Sequence, residues 1–373
     1  MRVLLHINSL AVGGAERVLL KLASHWHGLG HDVLVVTQVP VEQDQLPVPP
    51  GVLRISTQTG RVSRHWLVAL MSNVQRARRL RAVLREWQPD CIVAFLPTAN
   101  VVALLAARGL GIPVVVGERM FPAFLGLGWL QRYARDRQYP HAAAVVVQTE
   151  ESATWYHRTL ALANLVVIPN GISLPLADQA PHVEPDSVLA SSARVVLCIG
   201  RMAEPKQPED AVQAFATAFA DNPEWHLVLI GDGDKQPHVQ AMIASSQLAE
   251  RIHWIARAGN VATWYRRAQI CVSVSAAEGF PNVLLEAMAM GCVPVAYDCS
   301  TGPREVIRDG INGYLVPVGD IASLSLRMQK LGMDEALRAQ LAHAAQAVTD
   351  SHSDAAFYSR WDAVLAQVAS AQR

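Results

Sequence analysis

The sequence has little charge and no long apolar run. Only 17% of its 373 residues are charged, and the formal net charge is zero. A nucleic-acid-binding protein usually carries a basic excess, so that class is not indicated. No apolar run approaches the ~18 residues that a transmembrane helix needs. The first residues, from Met1 to Asn8, are too short an apolar run for a secretory signal and are typical of a first strand. We therefore expect a cytoplasmic protein, soluble or peripheral at the inner face of the cell membrane.

Patterns that bind metals through cysteine or histidine are scarce as well. The five cysteines include no CxxC pair, and the 13 histidines form no HExxH motif and a single HxH, His25-Trp26-His27. An odd number of scattered cysteines is typical of buried free thiols in a reducing compartment. We expect no metal to be bound through these residues.

Apolar residues are abundant, at 51% of the chain, and they follow an ordered alternation. Short β-rich runs alternate with helical stretches, which indicates an α/β fold of parallel strands joined by crossover helices. In the first half we predict strands at Val3–Ile7, Asp32–Thr37, Cys91–Phe95, Val114–Val116, Ala144–Gln148 and Val166–Ile168, and helices at Ala15–Leu29, 67–87, Asn100–Arg108 and Glu150–Leu160. In the second half we predict strands at Val195–Ile199, His226–Ile230, Ile252–Ile255, Ile270–Ser275 and Val293–Tyr297, and helices at Glu209–Ala220, His238–Ser246, Val261–Ala268 and within Ile321–Gln372.

A stretch without periodicity separates the two halves. Residues from about 175 to 192 include Pro175, Pro181 and Pro185, and we predict that they form a linker. We expect an N-terminal domain at 1–175 and a C-terminal domain at 190–350. Open α/β sheets bind ligands beyond the carboxyl ends of their strands, so two such halves imply an interdomain crevice that binds a ligand.

The most informative stretch runs from Glu278 to Gly291, between two predicted strands. Pro281 is suited to the first position of a helix, and Gly291 is suited to the helix exit. The N–H groups at 282–284 would then point out of the helix start, where an anion such as a phosphate binds readily.

Two carboxylates belong to this stretch. Glu286, inside the helix, could accept both hydrogen bonds of a ribose diol, and Glu278, in the loop before it, could hold a sugar hydroxyl. The alternative is that Glu278 is an acid favoured by the helix dipole and that Glu286 is an ordinary solvated acid.

Three loops could bind phosphate or metal. Gly13 and Gly14 precede the first helix and would let backbone N–H groups approach a phosphate, although GxGxxG is absent and a tight turn is the alternative. Arg201 and Lys206 follow the first strand of the second half and could neutralise a pyrophosphate leaving group without a metal; a solvated loop is the alternative. Asp232-Gly-Asp234 matches the metal-binding DxD pattern, but it is also a simple turn.

The order of these motifs resembles the retaining GT-B glycosyltransferases of family 4. The motifs are Gly-Gly-Ala-Glu16, Pro169-Asn-Gly-Ile172, Gly200-Arg through Lys206, Leu229-Ile-Gly-Asp-Gly233, and the Glu-x7-Glu of EGFPNVLLEAMAMGCVPVA from Glu278. The resemblance implies two Rossmann-like domains facing across an interdomain crevice, with a nucleotide-sugar donor bound mainly by the C-terminal domain. It implies no metal cofactor, and a last helix, at about 355–373, that packs back on the N-terminal domain.

The resemblance also implies roles for particular residues. Arg201 and Lys206 would hold the donor diphosphate, Glu286 the ribose hydroxyls, and Glu278 the donor sugar beside the reacting carbon. The backbone cradle of the donor would comprise Gly13, Gly14, Gly279, Phe280, Pro281, Asn282 and Val283.

The acceptor side departs from the family pattern. Many members carry a histidine after the strand predicted at Val114–Val116, whereas this chain has Gly117-Glu118-Arg119. Glu118 or Arg119 would take that place, Glu118 as a catalytic group, with Glu16 also on the acceptor side. The phrase from Ser300 to Ile307 resembles members that build bacterial surface polysaccharides and N-glycan precursors, often from UDP-hexoses or UDP-N-acetylhexosamines.

A basic run from Arg61 to Arg85 holds seven arginines and no acid. Five of them fall in the helix predicted at 67–87: Arg76, Arg78, Arg79, Arg81 and Arg85. Such a helix suits an anionic membrane surface or a lipid-pyrophosphate acceptor, and an ordinary surface helix is the alternative.

The resemblance thus implies a retaining glycosyltransferase that moves a hexose or N-acetylhexosamine from a nucleotide sugar, most simply a UDP-sugar, to a glycan or lipid-linked acceptor. A UDP-sugar epimerase, a phosphorylase of the same fold, and a catalytically silent nucleotide-sugar-binding protein are the alternatives.

Overall fold

The computed structural model describes residues 1–60 and 66–370. The chain divides into two compact units: unit 1 comprises Met1–Pro169 and Phe357–Arg373, and unit 2 comprises Asn170–Ala356. The segment at 175–192, which the sequence suggested as a linker, lies in unit 2, where Leu176 and Val183 pack against the core. Arg61 and Arg64 of the basic run lie outside the described residues.

Unit 1 contains a sheet of seven parallel strands. The strands are β1 Arg2–His6, β2 Asp32–Thr37, β3 Leu53–Ser56, β4 Cys91–Phe95, β5 Val114–Gly117, β6 Ala144–Val147 and β7 Leu165–Val167. They lie in the order β3-β2-β1-β4-β5-β6-β7. The crossover helices are α1 Gly14–Gly28, α2 Trp66–Trp87, α3 Pro97–Ala107, α4 Trp129–Gln138 and α5 Glu150–Leu160. Because helices cover both faces, β4, β5 and β6 are buried at every residue.

Unit 2 contains a second parallel sheet, of six strands. The strands are β8 Arg194–Ile199, β9 Trp225–Ile230, β10 Ile252–Ile255, β11 Ile270–Ser273, β12 Val293–Tyr297 and β13 Tyr314–Val316. They lie in the order β10-β9-β8-β11-β12-β13. The helices are α6 Pro208–Ala218, α7 Gln236–Ser245, α8 Val261–Arg267, α9 Asn282–Ala289, α10 Pro303–Val306, α11 Ile321–Met333, α12 Glu335–Ala345 and α13 Val348–Ser351. The predicted α/β architecture with two parallel sheets is therefore confirmed.

The last helix, α14 (Asp354–Ser370), contributes to the core of unit 1. Trp361 is 1% exposed, and its ring packs against those of Trp26 and Phe95. Asp362 accepts a hydrogen bond from the Trp26 indole at 2.8 Å. Large aromatic contacts of this kind dominate core energetics, so α14 is a structural element of unit 1.

Four of the described helices and strands were not predicted from the sequence: β3, α4, α10 and β13. α10 has only four residues. β3 is a short edge strand whose residues are exposed or half-buried, and β13 has only three residues. α4 is mostly polar, with Arg135 as its one buried residue. Short or polar elements carry little hydrophobic periodicity, which is the main sequence signal for secondary structure.

All five cysteines are buried free thiols, as the sequence predicted. No described helix combines the length and apolar character that crossing a membrane would require.

Candidate active site

The stretch from Glu278 to Gly291 forms a loop and the short helix α9 at the carboxyl edge of the unit 2 sheet. Leu284, Leu285 and Met288 are buried against the sheet and anchor the helix. The helix begins at Asn282, and Pro281 is the residue before it rather than its first residue. The Asn282 N–H donates to the Phe280 carbonyl at 3.0 Å, so the expectation that this N–H points out of the helix start is wrong. Gly291 has a φ of +90° just after the helix, as its predicted role at the exit requires.

Lys206 and Glu278 form an ion pair in unit 2. The Lys206 ammonium lies 2.5 Å from the Glu278 carboxylate, and the two side chains are 24% and 12% exposed. β8 and β11 are neighbouring parallel strands, so the loops that follow them end at the same edge of the sheet. The Ala276 N–H donates to the Pro205 carbonyl at 2.9 Å and ties the two loops together. The structure thus joins a cation and a carboxylate that lie 72 positions apart in the sequence.

Arg201 lies in the same loop as Lys206. Its side chain is exposed, and both residues line a small cleft that Ser273, Val274 and Ser275 close on the β11 side. Two cations beside such a cleft are suited to a diphosphate, which carries concentrated negative charge.

A loop after β12 holds the backbone of Glu278. The hydroxyl of Thr301, itself 3% exposed, donates to the Glu278 carbonyl at 2.5 Å. Gly302 has a φ of +102°, and a Cβ there would lie 3.1 Å from the Glu278 Cβ and 3.2 Å from the Pro281 Cδ. Thr301 and Gly302 were not predicted as site residues from the sequence, although both lie in the stretch from Ser300 to Ile307 that carries part of the family resemblance.

Glu286 lies in α9 and is half-buried. Its Oε2 accepts a hydrogen bond from the Tyr265 hydroxyl at 3.0 Å. Tyr265, on α8, is only 1% exposed and was not predicted from the sequence. No local pattern could have identified it, because the contact joins two different helices.

The Gly-Asp-Gly turn after β9 is shaped by close backbone approach. A Cβ on Gly231 would lie 1.8 Å from the Gly200 carbonyl, and one on Gly233 would lie 2.4 Å from the Met202 carbonyl. Only glycine fits both positions, so the motif has a structural cause. Asp232 pairs with Arg257 at 2.7 Å on the surface.

The predicted residues of unit 1 lie at the start of α1, which begins at Gly14 and includes Glu16, and in the loop after β5. Gly13 precedes α1, and a Cβ there would lie 2.3 Å from a carboxylate oxygen of Glu16, which therefore sits over the helix start. Gly14 has open space around it and leaves the backbone accessible.

Glu118 and Arg119 follow β5 and are buried, at 2% and 9% exposure. The Glu118 carboxylate accepts hydrogen bonds from the Tyr139 hydroxyl and from the Asn100 amide, the latter at 3.3 Å. Burial raises the pKa of Glu118 to about 7, against the lowering effect of the Tyr139 hydrogen bond. The Arg119 guanidinium lies 5.3 Å from the centre of the Phe95 ring.

The arginines of α2 divide into two sets. Arg78, Arg79 and Arg85 are exposed. Arg76 and Arg81 are half-buried and bind backbone carbonyls of unit 1. The apolar Leu80 and Leu84 of this helix are buried, as an ordinary surface helix requires.

Two family descriptions match the chain in succession. "Glycosyl transferase 4-like domain" matches residues 13–171, and "Glycosyl transferases group 1" matches residues 183–348. Together they cover most of the sequence.

Curated relatives match over all or part of the chain. The chain is 24% identical over 378 residues, and over 100% of both proteins, to the GalNAc-alpha-(1->4)-GalNAc-alpha-(1->3)-diNAcBac-PP-undecaprenol alpha-1,4-N-acetyl-D-galactosaminyltransferase of Campylobacter jejuni. It is 35% identical over 201 residues to an exopolysaccharide phosphotransferase of Streptomyces coelicolor, but this match covers 53% of the chain and only 20% of that protein.

Solved structures share the fold at low identity. A sucrose-phosphate synthase from Thermosynechococcus elongatus has a TM-score of 0.82 at 19% identity, over 99% of both chains. HepE of Anabaena, solved in complex with UDP, has a TM-score of 0.79 at 20% identity, over 98% of this chain and 100% of that one. These likenesses establish the GT-B fold, and with the family matches they show that the chain belongs to the group 1 glycosyltransferases.

Proposed function

We propose that this glycosyltransferase moves a hexose or N-acetylhexosamine from a UDP-sugar to a glycan or lipid-linked acceptor, in the assembly of a bacterial surface polysaccharide or glycoconjugate. The complex of HepE with UDP supports the donor class. The undecaprenol-linked substrate in the name of the Campylobacter relative supports the acceptor class.

The observation that carries the proposal is the Lys206–Glu278 pair beside Arg201 at the carboxyl edge of the unit 2 sheet. In the protein with donor bound, the Lys206 ammonium and Arg201 would bind the diphosphate, and Glu278 would turn to the sugar hydroxyls. Glu286 would accept the ribose hydroxyls. The backbone from Gly279 to Val283 would line the donor.

The reaction that suits these groups is electrostatic and positional. The bond between the anomeric carbon and the diphosphate oxygen breaks, the acceptor hydroxyl oxygen bonds to the same face of that carbon, and the hydroxyl proton passes to the leaving diphosphate oxygen, so the configuration is retained. Lys206 and Arg201 stabilise the charge that develops on the leaving diphosphate. Gly13 and Gly14 would add backbone N–H groups, with Glu16, Glu118 and Arg119 on the acceptor side and Glu118 acting there as a catalytic group.

The direct test is substitution of the ion pair. We expect Lys206→Ala and Glu278→Ala each to lower turnover by about 100-fold or more, because each removes a charged group at the reacting centre. The matched controls are Lys330→Ala and Glu335→Ala, which remove exposed charges elsewhere in unit 2. Rates near those of the wild type in both test variants, with circular dichroism unchanged, would refute the assignment.

We further propose that the protein is cytoplasmic and contacts an anionic membrane through α2. The exposed face of that helix carries Met71, Val74, Arg78 and Arg85. Arg79 is also exposed, whereas Arg76 and Arg81 are half-buried. A face that combines arginine with apolar residues suits the boundary between lipid headgroups and acyl chains.

α4 extends the same surface with aromatic residues. Trp129 and Tyr133 are 66% and 65% exposed and lie one turn apart. Gln131 of α4 and Asn73 of α2 line one shallow cleft, so the two helices border a common surface. Tryptophan and tyrosine favour the membrane–water interface, which supports the same contact.

The three alternatives differ in their products. An epimerase would convert a UDP-sugar without an acceptor, and a phosphorylase would need inorganic phosphate. Product analysis with donor alone, glycan with phosphate, and donor with lipid-linked glycan separates them from a transferase. A silent binding protein would bind UDP and yield no product in any of these mixtures.

A further inference from the structure

A buried hydrogen bond joins two helices of unit 2. Tyr265, in α8, is 1% exposed, and its hydroxyl donates to the Oε2 of Glu286, in α9, at 3.0 Å. Glu286 itself is only half-buried, so its carboxylate lies at the boundary between core and surface. The core therefore holds one oxygen of a carboxylate that solvent or a ligand can still reach.

The helix that carries Tyr265 is held firmly. The indole N–H of the adjacent Trp264 donates to the Val183 carbonyl at 2.9 Å. The backbone carbonyl of Tyr265 accepts a hydrogen bond from the Cys292 thiol at 3.0 Å. A hydrogen-bond donor on a helix that is fixed by such contacts can orient the group it binds, because the donor does not move with that group.

The hydroxyl also has a defined role as donor. Burial, and next the negative charge of Glu286, raise the pKa of Tyr265 well above its usual value. The phenol therefore keeps its proton at neutral pH and can donate it to the Glu286 carboxylate.

We propose that Tyr265 is a positioning residue that holds the Glu286 carboxylate in the orientation that receives the ribose hydroxyls of the donor nucleotide. This inference rests on the proposed role of Glu286. A glutamate side chain has several rotatable bonds, and fixing them before the nucleotide arrives lowers the entropic cost of binding. The benefit applies only to nucleotides that have ribose hydroxyls.

The test uses two nucleotides as probes: UDP, and its analogue that lacks both ribose hydroxyls. Tyr265→Phe removes only the hydroxyl. We expect its dissociation constant for UDP to rise about tenfold, as the loss of one charge-assisted hydrogen bond predicts, and its constant for the analogue to stay unchanged. The preference for ribose, measured by calorimetry as the ratio of the two constants, should shrink by the same factor.

Tyr297→Phe is the matched control. Tyr297 is also buried in unit 2, and its hydroxyl also donates to a carboxylate, that of Asp210, at 2.7 Å. Its loss should leave the ribose preference as it is in the wild type. If the role of Tyr265 is purely structural, Tyr265→Phe should instead lower the melting temperature and weaken the binding of UDP and of the analogue equally. That result would overturn the inference.

Glu286→Ala separates failure of the inference from failure of the proposed function. In one outcome, the wild type prefers the nucleotide with ribose hydroxyls, Glu286→Ala abolishes that preference, and Tyr265→Phe keeps it. Tyr265 then does not position Glu286, but the proposed role of Glu286 stands. If the wild type shows no preference, or Glu286→Ala keeps it, the proposed role of Glu286 fails and the inference falls with it. In the double variant, Tyr265→Phe should add no further change to the preference.

Discussion

The two sets of arginines in α2 allow a sharp prediction about the membrane. Arg78, Arg79 and Arg85 are exposed. Arg81, on the same helix, donates to the carbonyls of Ala106 and Arg108 at 2.8 and 2.6 Å, where α3 ends. The exposed arginines should therefore bind anionic lipid, and Arg81 should chiefly stabilise unit 1.

The magnitudes follow from these contacts. A basic residue near an anionic membrane contributes about 1 kcal/mol. The triple variant Arg78→Gln/Arg79→Gln/Arg85→Gln should then lose about 3 kcal/mol of vesicle binding, or roughly 100-fold in affinity. Arg81→Gln, the matched control, should lose about 2 kcal/mol of unfolding free energy, because it removes charge-assisted hydrogen bonds to two backbone carbonyls at the end of α3. Its vesicle affinity should fall by less than about tenfold, since one charge at most is lost from the surface.

The assay is co-sedimentation with phosphatidylserine vesicles and with neutral phosphatidylcholine vesicles, over a series of salt concentrations. Binding of the wild type should require the anionic lipid and weaken with salt, because salt screens exposed charges. Urea unfolding measures the stability of each variant. If the triple variant binds like the wild type, or Arg81→Gln loses as much affinity as the triple variant, then α2 does not contact the membrane through its exposed face.

Three further predictions concern the two units. Gly302→Ala should cost about 1–3 kcal/mol of unfolding free energy in urea and lower turnover, because alanine is strained at a φ of +102° and its Cβ would press on Glu278; Gly28→Ala, where a Cβ meets nothing within 4 Å, is the control. The pKa of Glu118 is raised from 4.5 to about 7 by burial, so the folded state binds the proton more tightly and stability should fall by about 3 kcal/mol as pH rises through this window. Glu118→Gln should flatten that profile, and an unchanged profile would show that Glu118 does not titrate there. Activity should survive EDTA; loss of activity that Mn²⁺ restores would instead assign a metal to Asp232 and Asp234.

Much of the fold could be predicted because its signals are local. The strand Cys91–Phe95 is apolar throughout and the strand Asp32–Thr37 is apolar between its two end residues, and the predicted bounds of both agree with the structure. The alternation with helices then requires parallel sheets. The polar helix α4 and the three-residue strand β13 were missed because neither carries a periodic apolar pattern.

The candidate site was only partly predictable for a related reason. Glu278, Glu286, Arg201 and Lys206 were identified from motifs that each lie in one loop or helix. The contact between Lys206 and Glu278 was not, because it depends on β8 and β11 being neighbours in the sheet.

The sequence by itself determined most of the secondary structure, the parallel sheets and the loops that carry the candidate residues. These depend on periodicity and on the order of motifs, which act over a few residues. Only the tertiary structure decided which groups meet: Tyr265 with Glu286, Thr301 with the backbone of Glu278, and Arg81 with the end of α3. The physical reason is that such partners are chosen by the packing of whole elements, and nothing in the local sequence of either partner specifies the other.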